Sequence, residues 1–244
     1  MAILKPKPAP KVLDISSLLG KCKNRISRIG IEIEGGWKTL PKGIALEHDG
    51  SVFRGNRSVD ISYGEIPLGP MIPGNYAAAI RKYYPHVVDA TCGLHVHMSF
   101  EHLRIYSILM AEEYQDTMVA YLTRWADDEG ISGEHTFRDR LKGRSRFCQK
   151  MFWPDLQTNA SKDYNQDRMG HRYTMINYCH QSHGTLECRL LPMFADVEQS
   201  VRGVKRVLEI TNACLVKLGK GREKLVSELD DSLKAHHEKV EITL

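Results

Sequence analysis

Three short stretches restrict the fold of this chain more than any other part of it: GIEIEGG at 30–36, CGLHVHMSF at 92–100 and GTLECRLLP at 184–192. Each alternates polar with apolar residues. Side chains alternate across a β-strand, so Glu32 and Glu34 fall on one side while Ile29, Ile31 and Ile33 fall on the other. The same spacing sets His95 and His97 against Leu94, Val96 and Met98, and sets Glu187 and Arg189 against Leu186, Cys188 and Leu190. Strands with one apolar side need a cover, and two long amphipathic segments can supply it. In the first, Leu103, Tyr106, Met110, Tyr114, Met118, Tyr121 and Trp125 recur at helical spacing; in the second, Val197, Val201, Val204, Leu208, Thr211 and Leu215 do so behind an Asp196/Gln199 capping pair. Strands with a few long helices and no regular alternation predict an α+β fold, a largely antiparallel sheet with helices on one face. The other face is then free to be a site.

The remaining organisation follows from breakers and periodicity. Lys and Pro alternate through residues 1–11, which read as a flexible leader, with one domain expected over 12–244. From Ile26 to Tyr63 an alternating pattern is interrupted at Gly35-Gly36, Pro41-Lys42-Gly43 and Asp49-Gly50, which predicts antiparallel strands and short loops, ended by the Pro/Gly-rich segment Pro67 to Gly74. A short helix is expected at Tyr76–Tyr84, a strand at Gly93–Phe100, strands within Arg172–Leu191 around a turn at Ser182-His183-Gly184, and a charged helix at Glu223–Glu238.

Composition removes several classes of function. No apolar run reaches about 18 residues and the first residues lack the apolar stretch of a signal peptide, so a cytoplasmic protein without membrane contact is expected. Six cysteines stand without a C-x-x-C pair and read as reduced thiols. A net charge of +4 is too small for a dedicated nucleic-acid binder, although basic residues crowd Arg138 to Lys150, a segment that reads as a solvated loop or as a clamp for phosphate. No P-loop and no G-x-G-x-x-G motif occurs, so a nucleotide would need another kind of site.

The polar sides carry unusual residues. Ordinary wet faces carry Lys, Thr and Ser; here the pairs are Glu, Glu, His, His, Glu and Arg, the types that hold metals and phosphates. Carboxylates gathered on one sheet repel one another unless a cation neutralises them. Several carboxylates with one or two imidazoles suit Mg²⁺ or Mn²⁺ better than a catalytic zinc, and Asp49 and Glu65 lie where they can join the set. Trp37 and Trp153 read as packing residues, and Cys188 as a core thiol.

The ordered set GIEIEGG, HDGS, YGE, GLHVH, HRYTMIN and GTLECR, from Arg28 to Pro192, resembles the amidoligase family of the carboxylate-amine ligase superfamily, to which glutamine synthetase and glutamate-cysteine ligase belong. The resemblance implies ATP-dependent amide formation through an acyl phosphate on a curved, largely antiparallel sheet of that type. It implies Glu34, Glu65 and Asp49 as ligands of an ion near the amino-acid substrate, and Glu32, His95 and Glu187 as ligands of an ion on the nucleotide phosphates. Arg189 and Arg172 would stabilise the transferring phosphoryl group and contact nucleotide, His97 would lie near nucleotide or substrate, and Asn177 and Glu65 would complete the catalytic set. Implied partners are ATP, a small-molecule or peptide carboxylate and an amine acceptor; a nucleic-acid-linked substrate and a homo-oligomer stay open. The rival reading is a metal-dependent hydrolase on the same residues.

Overall fold

The computed structural model describes residues 26–53, 57–101, 105, 109, 112–131, 135–150, 173–179 and 184–215. The expected leader at 1–11, the charged helix at Glu223–Glu238, Trp153 and Arg172 lie outside these residues. The described part is α+β, built on one antiparallel sheet of five strands: β1 (Arg28–Trp37), β2 (Ser62–Met71), β3 (Gly93–Ser99), β4 (Ile176–Cys179) and β5 (Thr185–Pro192), in the order β2-β1-β3-β5-β4. The helices are α1 (Tyr76–Tyr83), α2 (Glu112–Asp128), α3 (His135–Leu141) and α4 (197–215). None of the described helices is long and apolar enough to cross a membrane.

The alternation predicted for the strands places the core. Ile29, Ile31, Ile33, Leu94, Val96, Met98, Leu186 and Cys188 are all buried, each such side chain contributing about 1.5–3 kcal/mol through removal from water. Helices close over them. Tyr178 of β4 donates to the Leu109 carbonyl, and Tyr114 of α2 is hydrogen-bonded to Thr211 of α4 at 2.9 Å. Trp125, Phe137 and Phe194 meet edge-to-face with centroids 5.3, 5.9 and 6.0 Å apart, joining α2, α3 and the end of β5. Asp196 caps α4 by accepting from the amides of Glu198 and Gln199 at 3.1 and 3.2 Å.

Four expectations need correction. Among its described residues, the stretch from Thr39 to Ile61 holds the bridge Glu47↔Glu65 and no strand. The Pro/Gly-rich segment does end a strand, but later than expected: β2, an edge strand where proline's missing N–H is tolerated, runs on into it as far as Met71. There β1 advances two residues, Ile29 to Ile31, while β2 advances three, Leu68 to Met71; the extra residue forms a bulge, and Gly69 meets its φ of +130° without a side chain. On α2, Tyr121 is 57 % exposed and Leu122 takes its place in the core. Finally, the basic segment is not one loop: it begins in α3, and Arg140, one position before buried Leu141, is itself 1 % exposed.

A second bulge shapes the site. Leu94 pairs with Leu191 but Val96 pairs with Cys188, so Arg189 and Leu190 together oppose His95. The bulge resets the alternation, which lets Leu191 join the core while Arg189 stays on the face of Glu187.

Candidate metal centre

The register brings the polar residues of five strands side by side. Glu34 of β1 lies opposite Glu65 of β2, Glu32 opposite His95 of β3, His97 opposite Glu187 of β5, and Asn177 of β4 opposite Glu187. Two trios result. Glu32, His95 and Glu187 offer ligand atoms within 4.8 Å of one another, and so do Glu34, Glu65 and His95. Except for Asp49, which joins neither, and His95, which serves both, these are the two ligand sets that the amidoligase resemblance implies. Glu34, His95 and Glu187 are buried, whereas Glu32 and Glu65 are half-buried at the opening.

His95 faces each trio with a different nitrogen. Its Nδ1 lies 3.0 Å from Glu32 Oε2 and 3.4 Å from Glu187 Oε1, while Nε2 points to Glu34 Oε1 at 3.6 Å and has no hydrogen-bond partner among the described residues. A buried nitrogen without a partner is costly. The space beside it is kept open by Gly93, where a Cβ would come 2.4 Å from that Nε2 and 3.1 Å from Glu34 Oε2. The Gly93 amide also donates to Glu34, which fixes that carboxylate.

The trio of Glu32 is compensated by protein charges. His97 Nε2 lies 2.8 Å from Glu32 Oε1, off the line of a hydrogen bond, and its Nδ1 is 3.0 Å from the Thr185 hydroxyl. Arg189 donates to Glu187 Oε1, and Asn177 donates to Oε2 at 2.9 Å, so Asn177 orients Glu187. Burial alone would raise the Glu32 carboxyl, but its contacts with His95 and His97 outweigh burial and hold it well below the usual range. Burial would likewise raise Glu187, and the Arg189 charge overrides it. The same opposition raises His97, whose burial is outweighed by Glu32 and Glu187.

Glu65 has no such help. Burial, together with the charges of Glu32, Glu34, Asp49 and Glu187, pushes its carboxyl up to about 9. Asp49 therefore acts on Glu65 from outside both trios, with its Oδ1 accepting from the Ser51 amide at 2.6 Å. The bridge between Glu47 and Glu65 holds this segment beside β2.

Two residues of the site were missed by the sequence reading. Thr185 stands two positions before Glu187, so the same alternation identifies its side. Arg140 sends Nη1 to the Arg189 carbonyl at 3.0 Å, supporting the bulge from within the protein; its spacing of three from buried Phe137 marks it as inward-facing. Beside the Glu32 trio a cavity of about 250 Å³ opens, lined among others by Arg28, Glu32, Gly69, His97, Ser99 and Thr185. Cys92, Cys148, Cys179, Cys188 and Cys214 are buried and form no disulfide among the described residues; burial raises the Cys188 thiol to about 12, and the Cys179 thiol donates weakly to Glu187 Oε2 at 3.9 Å. Trp37 is core, with its indole N–H on the Tyr83 carbonyl at 3.1 Å.

Compared with protein-family models, curated proteins and solved structures, the chain matches none. The donor set, mainly carboxylate with one shared imidazole, could hold a metal ion.

Proposed function

We propose that this chain is an ATP-dependent carboxylate-amine ligase of the amidoligase type, working on a sheet of the glutamine synthetase and glutamate-cysteine ligase kind and releasing ADP. The observation that carries the reading is the pair of carboxylate trios sharing His95, on one sheet face beside Arg189. A carboxylate does not condense with an amine in water because its oxygen is a poor leaving group, so the γ-phosphoryl of ATP is first transferred onto it. The resulting acyl phosphate is attacked at carbon by the amine, and phosphate leaves. Positioning and neutralisation of charge supply most of the catalysis in such transfers.

On this reading Glu32, His95 and Glu187 hold one Mg²⁺ and Glu34 with Glu65 holds another, with Mn²⁺ as a substitute. Bound there, the ions supply positive charge to phosphate and carboxylate oxygens. Arg189 contributes a further donor, since its Nε is buried without a hydrogen-bond partner among the described residues, while Glu187 keeps its guanidinium charged against the effect of burial. Asn177 and Arg140 keep this pair in place.

Melting temperature tests the reading without knowledge of the substrate. A ligand at a hundred times its Kd stabilises by about 2.7 kcal/mol, or roughly 5–10 °C for a protein of this size. A rise of that order that needs ATP and Mg²⁺ together is expected. A rise with Zn²⁺ and none with nucleotide would instead favour a metal-dependent hydrolase.

A further inference from the structure

The basic segment is joined to the site by a ladder of rings and guanidinium groups. The Arg189 guanidinium, bonded to Glu187, lies 5.9 Å from the centroid of Tyr173; the Tyr173 and Phe147 rings meet edge-to-face at 5.5 Å; and Arg146 lies over Phe147 at 5.1 Å. Backbone bonds tie the ladder together, with the Gln149 amide on the Tyr173 carbonyl at 2.7 Å and the Met175 amide on the Gln149 carbonyl at 2.9 Å. Tyr173 stands four residues before Asn177, so the turn carrying Arg144 and Arg146 adjoins the β4 side of the site.

This border carries charge that no described carboxylate neutralises. Arg138, Lys142, Arg144 and Arg146 are exposed and make no ion pair with any described carboxylate. The neighbouring acids are engaged elsewhere, Asp139 with His135 at 3.1 Å and Asp116 with Lys150 at 2.7 Å. Four cations within nine residues, unpaired among the described residues, exceed what one carboxylate or amine substrate requires, and they suit a chain of phosphates. The reacting group must also reach buried Glu187 and His95, which a base stacked within a duplex cannot do.

We propose that the border formed by Arg138, Lys142, Arg144 and Arg146 docks a single-stranded nucleic acid, and that the substrate of the adjoining site is carried on that strand. The second half of this proposal rests on the ligase reading; the docking does not.

The test is fluorescence anisotropy of the full chain with a labelled, mixed-sequence oligonucleotide of about 20 nucleotides. Each phosphate contact on a single strand adds about 0.7 to the salt slope. Four contacts give a slope of about −2.8, or roughly fiftyfold weaker binding between 50 and 200 mM salt. The double variant Arg144→Glu/Arg146→Glu should keep the parent melting temperature, bind at least about tenfold more weakly at 50 mM salt and lose about 1.4 of the slope. Lys82→Glu, an exposed charge reversal on α1, should bind as the parent does. An unchanged Kd in the double variant, equal losses in both variants, tighter binding of the duplex of the same sequence, or equal competition by poly-glutamate would each overturn the proposal. Glu32→Gln separates the two readings, since it should lose the response to ATP and Mg²⁺ yet bind the oligonucleotide with parental affinity.

Discussion

The two carboxylate trios have similar composition and opposite electrostatics. In one, Glu32 and Glu187 are matched by His95, His97 and Arg189, and both carboxyls stay ionised despite burial. In the other, Glu34 and Glu65 share only His95, through a nitrogen with no hydrogen-bond partner among the described residues, and Glu65 is driven up to about 9. The difference teaches that the protein itself offsets the charge of the first trio, whereas in the second the charge of Glu65 is left to be offset by a proton or by a cation.

The largest effects should come from removing a ligand from either trio. Glu32→Gln and Glu34→Gln should each lower ATP turnover by about a hundredfold or more with the fold retained, and parental turnover in both would break the assignment. Gly93→Ala follows: its Cβ would crowd His95 Nε2, so stabilisation by Mg²⁺ should disappear in a melting assay, while an unchanged shift would show that the space beside Glu34 is not the ion's.

Stability without metal sharpens the comparison further, because the trios should respond with opposite sign. Glu32→Gln leaves His97 and His95 without their carboxylate and should cost about 1–3 kcal/mol, while Glu65→Gln removes a repelled carboxyl and should stabilise at alkaline pH. Denaturant unfolding of both variants measures this, and a shared sign would contradict it. The pH dependence follows from the same group. Glu65 is raised from 4.5 to about 9, so between those values the native state binds more protons than the unfolded chain, and its contribution to stability is lost as pH rises. The Mg²⁺-dependent rise in melting temperature should therefore be larger at pH 8.5 than at pH 6. Asp49→Asn should have the smallest effect, a slight fall in the Glu65 pKa with both ions still bound, as a ¹³C NMR titration of the Glu65 carboxyl can follow.

Much of this was legible in the sequence because alternation has a period of two and every residue of Glu32, Glu34, His95, His97 and Glu187 obeys it. What local pattern could not show was the effect of pairing. Whether Asp49 reaches an ion depends on where an irregular segment crosses β2, and a single bridge at Glu47 decides it. The bulge that aims Arg189 appears only when β3 and β5 are in register. Arg140 was hidden within a run of charge, although its helical position already placed it inward. Tyr121 and Leu122 show the reverse limit, since adjacent apolar residues on a helix leave open which one meets the core.

The central claim is that the paired glutamates are ligands of two different cations, and counting bound Mn²⁺ by electron paramagnetic resonance in the presence of ATP tests it most directly. Two ions per chain in the parent, with one lost in Glu32→Gln and the other in Glu34→Gln, is the predicted result. No bound Mn²⁺ in the parent, or a count unchanged by both substitutions, would contradict it.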